Sequence, residues 1–436
     1  QSIMMNLKYV STLVLIVLAL STMIATAKNN ELTPMSIKLA LTQDVTQMRI
    51  TWNTRAHGSS PLVLYDTQPF NTSNFVRLPQ LEANTEHIYQ ALGGGWNEYV
   101  NTALLTGLTA STTYYYSVGE KDELFFSDVF NFTTAATDFN ADVTPFSIVV
   151  YGDMGIWGGS QQNIQRITER VDDFSFAFHL GDIAYADLTS GSKDLGNETV
   201  WNEFLDMVNP ITSHIPYMVC PGNHDIFLVD FDIYRHTFQM PCPVSDAWYS
   251  FDYNGIHFLS YSTEHLVTDL SPQHNWIEND LKNYRKKNPD GWVVVIGHRP
   301  FYCSTVWDYC NKDTYKGMSM IDSLEHVFYM YNVDLYITGH AHAYERTLPM
   351  LKGKAEYGTY DAPRATVHMV IGTGGNQEGP DGGWDEPAPA WSVGERLLDT
   401  GYGIFDFTNS THLHYSFVNA TTNEVRDEFW LTKGNW

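Results

Sequence analysis

A chain of 436 residues with 43% hydrophobic and 14% aromatic side chains fills two or three cores, which excludes a disordered protein. Its 50 acidic residues outnumber 25 basic ones, and the resulting formal charge of −25 repels nucleic acid and anionic membrane surfaces. An anionic substrate must therefore be drawn in by a local positive centre, since the field of the whole chain opposes it.

Residues 1–27 read as a signal peptide. Lys8 precedes an apolar run from Val10 to Ile24, and Ala25-Thr26-Ala27 forms a small-residue cleavage site. The run, of about 15 residues, is short for a membrane span, and no later stretch is long and apolar enough to be one. Five Asn-x-Ser/Thr sequons, at Asn71, Asn131, Asn197, Asn409 and Asn419, fit a secreted or lysosomal/vacuolar glycoprotein. Of the four cysteines, Cys303 and Cys310 close a short loop and are expected to pair in an oxidising compartment. Cys220 either pairs with Cys242 or, at the end of the apolar run Ile215 to Val219, stays a buried thiol.

Residues 28–140 are predicted to be all-β. Met48-Arg49-Ile50-Thr51-Trp52 and Tyr114-Tyr115-Tyr116-Ser117-Val118 alternate, turn residues separate the runs, and no helical period intervenes. Seven or so short strands in this length suggest a sandwich of immunoglobulin or fibronectin type III kind. Asp138 to Thr144 is a plausible linker. From 145 to 436 strands alternate with helices, the pattern of an α/β domain. The apolar runs Phe146 to Tyr151 and Phe174 to Leu180 each end in Gly-Asp, and Ile164, Ile167, Val171 and Phe174 share a helical face between them. Ser271 and Pro272 announce a helix with Trp276, Ile277, Leu281 and Tyr284 inward, leading into the run Trp292 to Ile296. Ile321, Leu324, Phe328 and Tyr331 mark another helix, before Val333 to Thr338. A hairpin around Asn254-Gly255 argues for mixed sheets packed as a sandwich with flanking helices. The stretch 365–433 is strand-rich and is expected to complete the second sheet.

Five short motifs carry the chemistry, and four of them directly follow an apolar run: Gly152-Asp153-Met154-Gly155, Gly181-Asp182-Ile183-Ala184-Tyr185, Gly222-Asn223-His224-Asp225, Val295-Ile296-Gly297-His298 and Gly339-His340-Ala341-His342. Loops after strand ends converge on one edge of an α/β sheet, and glycines let the chain turn sharply there. Alone, a Gly-Asp is a turn and an Asn-His pair caps a loop. The ordered set of five points to metals. Asp153, Asp182, Tyr185, Asn223, His298, His340 and His342 offer three anionic oxygens, one amide and three imidazoles, a donor set for two ions. Phenolate and carboxylate favour Fe(III), and imidazole with amide suits a divalent ion such as Zn, Mn or Fe(II). One carboxylate must bridge, and Asp182 is the natural candidate.

With these motifs the chain resembles the metallophosphoesterases, and Tyr185, three residues after Asp182, is similar to the purple acid phosphatase branch. The resemblance extends to Gly372-Thr373-Gly374-Gly375-Asn376 with Glu378, to Tyr344-Glu345-Arg346 and to the sandwich in front, as in the long plant and animal forms. It implies that Asp153, Asp182, Tyr185 and His342 hold Fe(III), while Asp182, Asn223, His298 and His340 hold the divalent ion. It also implies an acid phosphatase that hydrolyses small phosphate monoesters through attack of a metal-bound hydroxide. The loop Tyr302 to Cys310 lacks the histidine pair that plant enzymes carry there. His224 is the candidate for contacting phosphate or assisting the leaving group, and Asp308 is its rival as leaving-group acid. Two other readings use the same residues differently: a phosphodiesterase or nucleotide pyrophosphatase, and an adhesive glycoprotein with a relict site, which would be expected to have lost ligands. No pattern in the sequence specifies an oligomeric state.

Overall fold

The structure, a computed structural model, describes residues 31–90, 96–136, 143–188, 199–225, 232–243, 247–307, 314–315 and 318–434. The segment 1–27, Asn197, Asp308 and Cys310 lie outside them.

Among the described residues, nine strands between Met35 and Thr133 form the front unit. One sheet runs Met35–Ala40, Met48–Thr54, Trp96–Leu105, Asn84–Gln90, and the other is built on Pro61–Asp66 and Thr113–Glu120. The alternation read from sequence puts Ile50, Trp52, Tyr116 and Val118 inside, where they close over Trp96 and Val63.

The second unit is two mixed sheets packed face to face. The six-stranded sheet has the order Tyr217–Val219, Phe176–His179, Phe146–Tyr151, Gly401–Asn409, His412–Asn419, Val425–Thr432. The seven-stranded sheet has the order Tyr249–Tyr253, Ile256–Ser260, Trp292–Ile296, Leu335–Thr338, Val367–Ile371, Tyr344–Thr347, Ser392–Leu397. Three neighbours in the first sheet and four in the second run parallel. These parallel strands are buried on both faces, which is why they read as unbroken apolar runs. Aromatic rings lock the sheets together: Phe258 meets Phe176 at 5.3 Å and Phe407 at 5.9 Å, both edge to face. Helices Pro272–Lys287 and Met320–Met330 cover the outer face of the larger sheet through Ile277, Leu281, Leu324 and Phe328.

Local expectations are met in two places. The Ser271 hydroxyl accepts from His274 N, capping a helix that starts at Pro272. Asn254 and Gly255 both take positive φ, 47° and 91°, as a two-residue hairpin turn requires. Three expectations need correction. Val171 and Phe174 do not continue the helix of Ile164 and Ile167, which ends at Thr168: Arg170 leaves helical geometry and a separate 3-10 turn, Val171–Asp173, delivers Phe174 to the core. Residues 365–433 do not complete one sheet. Val367–Ile371 and Ser392–Leu397 join the larger sheet, and the last three strands join the smaller one, beside Phe146–Tyr151. Trp276 is only half-buried.

The two units share helix Val200–Thr212. Asn209 Oδ1 accepts from Ile37 N at 2.8 Å, Thr212 Oγ1 donates to Ile37 O at 2.6 Å, and Trp96 Nε1 donates to Asn202 Oδ1 at 2.7 Å. Among the described residues no helix is long and apolar enough to cross a membrane.

Candidate metal centre

The parallel strands ending at Tyr151, His179, Val219, Ile296 and Thr338 bring all five motifs to one edge of the two sheets. Their loops are tied together by backbone bonds: Asp153 N to Gly181 O at 3.1 Å, Gly339 N to His298 O at 3.0 Å, and Gly152 N to Ile371 O at 2.9 Å. Asp153, Asp182, Tyr185 and His340 all take positive φ, between 51° and 67°. Non-glycine residues resist that conformation, so the surrounding bonds must hold it. Glycine is required at 222 and 339, where a Cβ would strike the carboxylates of Asp182 and Asp153.

The side chains fall into two groups. In one, the Tyr185 hydroxyl lies 3.0 Å from His342 Nε2 and 3.3 Å from Asp153 Oδ1. In the other, His298 Nε2 lies 3.1 Å from Asp182 Oδ2 and 3.2 Å from Asn223 Oδ1, and the His298 and His340 rings are 5.0 Å apart. Donor atoms of Asp182, His298 and His340 all lie within 4.8 Å of one another. All seven expected residues are therefore drawn to one place.

The donors fit cations. His298 Nδ1 faces Leu180 O at 2.8 Å, and His342 Nδ1 faces Gly379 O at 2.9 Å. A carbonyl only accepts, so each Nδ1 carries the proton and each Nε2 is aimed inward, the arrangement that orients ligating imidazoles. Burial, then the Arg299 guanidinium 3.1 Å from its Nε2, holds His340 well below its usual pKa, in the neutral form that ligates. Burial would lower His298 and His342, but the Asp182 charge raises the first to about 9 and Asp153 the second to about 9. Their extra protons answer unscreened carboxylates and leave when a cation takes that role. Tyr185 is raised well above the phenol range by burial and then by Asp153, so only a strongly acidic cation could displace its proton.

Two acidic residues to which the sequence reading gave no role here stand behind this shell. Asp225 is buried, and its carboxylate accepts from Gly222 N at 2.8 Å, Ile183 N at 2.9 Å and Asp182 N at 3.0 Å, joining two motif loops. Burial and the Asp182 charge push its pKa up to about 7 against those bonds. Asp187 Oδ2 takes the His224 Nδ1 proton at 2.7 Å and fixes the ring, which stacks on Tyr185 at 4.4 Å. The Gly-Asn-His-Asp motif held the signal for Asp225, and nothing in spacing held one for Asp187. His224 Nε2 is left facing Glu378 at 3.5 Å and Asp182 at 3.9 Å. Burial opposes its protonation, yet these three carboxylates raise it to about 11. Two histidines outside the five motifs are structural: His179 bonds Tyr217 OH at 2.8 Å, and His257 bonds Asp252 and Asp280, each at 2.7 Å.

Other candidate positions divide. Cys303 is disulfide-bonded, and Cys220 and Cys242 are thiols that do not form a pair with each other. Asn71 and Asn131 are exposed and Asn409 is half-buried. Asn419 argues against its own sequon: it is 5% exposed, and its Oδ1 accepts from Thr421 N and Thr422 N, both at 2.9 Å. A glycan joins Nδ2 and spares those bonds, so it is the burial of this side chain that opposes one.

Comparison with known proteins follows the same division. Three family models match in succession: the purple acid phosphatase N-terminal domain at 34–134, the calcineurin-like phosphoesterase at 146–344, and the iron/zinc purple acid phosphatase-like protein C at 365–428. The solved purple acid phosphatase PPD1 from yellow lupin seeds superposes with a TM-score of 0.80 at 22% identity, covering 93% of this chain and 75% of its own, a likeness of fold. Mouse acid phosphatase type 7 is 29% identical over 92% of this chain and 91% of its own. Purple acid phosphatase 18 of Arabidopsis thaliana is 30% identical over 91% of this chain and 84% of its own, and on that likeness, sustained through both units, this chain belongs to the purple acid phosphatase family.

Proposed function

We propose that the chain is an acid phosphatase hydrolysing phosphate monoesters at a binuclear centre, with a ferric ion held by Asp153, Asp182, Tyr185 and His342. A divalent ion, Zn, Fe or Mn, is held by Asp182, Asn223, His298 and His340. The observation that carries this reading is the convergence of those seven side chains from five strand ends, in two groups, with Asp182 in the second and its charge reaching Asp153 and Tyr185 in the first. The phenol and carboxylate oxygens of Tyr185 and Asp153 favour the harder ion on their side.

Two bound cations supply Lewis acidity toward phosphoryl oxygens and toward water, and they neutralise charge in the transition state. The chain's own residues do the rest. Asp225 holds the Asp182 and Asn223 loops at one spacing. His224, oriented by Asp187, presents Nε2 to the cavity above Asp182, where a leaving oxygen needs a proton. Asp308 is the rival donor.

We further propose that residues 1–27 are removed on entry to the secretory pathway, that Asn71 and Asn131 carry glycans, and that Cys303 pairs with Cys310. Metal analysis with the visible spectrum tests the centre. Two metals per chain and a violet band lost in Tyr185→Phe are expected. A colourless ferric protein, or the same band in the variant, refutes the phenolate assignment. Monoester turnover exceeding diester turnover is expected, and the reverse would favour the diesterase.

A further inference from the structure

The centre lies at the floor of a cavity of about 510 Å³, far more than a phosphoryl group fills. Its walls therefore meet the leaving group. One wall is Glu378 to Asp381, and the other is Trp307. Among the described residues lining the cavity none is Lys or Arg. Arg299, close to His340, already spends its guanidinium on Glu264, at 2.6 and 3.2 Å.

Trp307 is the broad apolar surface of this cavity, and it is 53% exposed. The three residues before it are held in place by hydrogen bonds. Ser304 N donates to Glu345 Oε2 at 2.7 Å, Asp385 N donates to Ser304 O at 2.9 Å, and Val306 N donates to Gly383 O at 3.1 Å. Thr305 forms a bridge with Trp384. Val306 packs against Gly382 and Gly383. An indole left half in solvent on so fixed a segment is a ready stacking platform.

We propose that Trp307 is a specificity residue, stacking on the leaving group and selecting monoesters whose leaving group is a flat aromatic ring. The inference rests on the phosphatase reading and deepens it. Benzyl phosphate and ethyl phosphate test it, because both leave as alkoxides of similar basicity and differ in the ring. The metal-loaded protein should show kcat/KM for benzyl phosphate above that for ethyl phosphate by about fivefold to tenfold, carried by KM. Trp307→Ala should bring the ratio close to one, and Trp307→Phe should keep most of the preference. Equal values for the two esters in the wild type, or a ratio untouched by Trp307→Ala, overturns the proposal. Calorimetric binding of benzylphosphonate against methylphosphonate gives the same comparison without turnover. Loss of activity toward every monoester would thus count against the phosphatase reading, while the phosphonates still decide the stacking.

Discussion

Removing the carboxylate of Asp225 tests whether the centre depends on a residue that touches no metal. Three buried backbone N–H groups, of Asp182, Ile183 and Gly222, end on this one side chain at 2.8 to 3.0 Å. Asp225→Ala leaves them without an acceptor, at about 1–3 kcal/mol each, so about 3–9 kcal/mol together. Water entering the vacated volume brings the loss toward the lower end. At about 2 °C or more per kcal/mol for a unit of this size, the melting temperature should fall by at least about 6 °C. Asp225→Asn keeps one oxygen, which can serve some of the donors, and should lose about half as much. Because Asp182 and Asn223 sit on the two loops so joined, metal content should fall together with stability. Thermal unfolding of metal-free and metal-loaded protein, with metal analysis of each variant, reads both effects. An Asp225→Ala protein within about 1 kcal/mol of wild type that still holds two metals would refute the tie between the loops.

Asp182→Ala should abolish turnover and lower both metals if its carboxylate bridges them as proposed; two metals and near-normal turnover in that variant would rule out bridging. His224→Ala should retain both metals and lose about 10²-fold or more in turnover, and Asp308→Ala should cost less and mainly with poor leaving groups. The opposite ranking would hand the leaving-group proton to Asp308. Peptide mapping without reduction should recover Cys303 linked to Cys310, a closure worth about 2–3 kcal/mol, and thiols at both positions would exclude it. The mature protein should begin near Lys28, and glycosidase should lower its intact mass through Asn71 and Asn131 but not Asn419. An unchanged mass would remove the glycans, a retained N-terminal segment would remove the cleavage, and a glycan mapped to Asn419 would contradict its burial.

What the sequence made legible was chemistry concentrated in short spans. Gly-Asp, Gly-Asn-His-Asp and Gly-His-Ala-His each hold their donors and their turn glycines within a few residues, so one reading finds both. Asn254-Gly255 and Ser271-Pro272 were legible because turns and caps are local. The helix carrying Ile164 was misread past its end because Val171 and Phe174 fall on the same helical period although the chain turns at Arg170. The Gly-Asn-His-Asp motif contains Asp225, but two of its three partners are backbone groups some forty residues away, so what it holds together is invisible to any side-chain pattern. The division of 365–433 between two sheets was illegible for a similar reason: strand partners are chosen by the faces left uncovered elsewhere, not by the strands' own composition.

Helix Val200–Thr212 has a consequence for how this architecture can be inherited or re-engineered. Its flank toward the front sandwich is tied by hydrogen bonds between the units: Trp96 to Asn202, Asn209 and Thr212 to the Ile37 backbone, and Tyr116 to the Ser213 carbonyl just past its end. The same helix runs straight into the strand Tyr217–Val219 and so into Asn223. A gene fragment beginning after residue 140 would strip one side of that helix and unseat a donor without altering a single codon of the centre. The sandwich is thus not a cargo module that recombination can swap at will. Only a replacement that reproduces its contact with this one helix is compatible with the hydrolytic half.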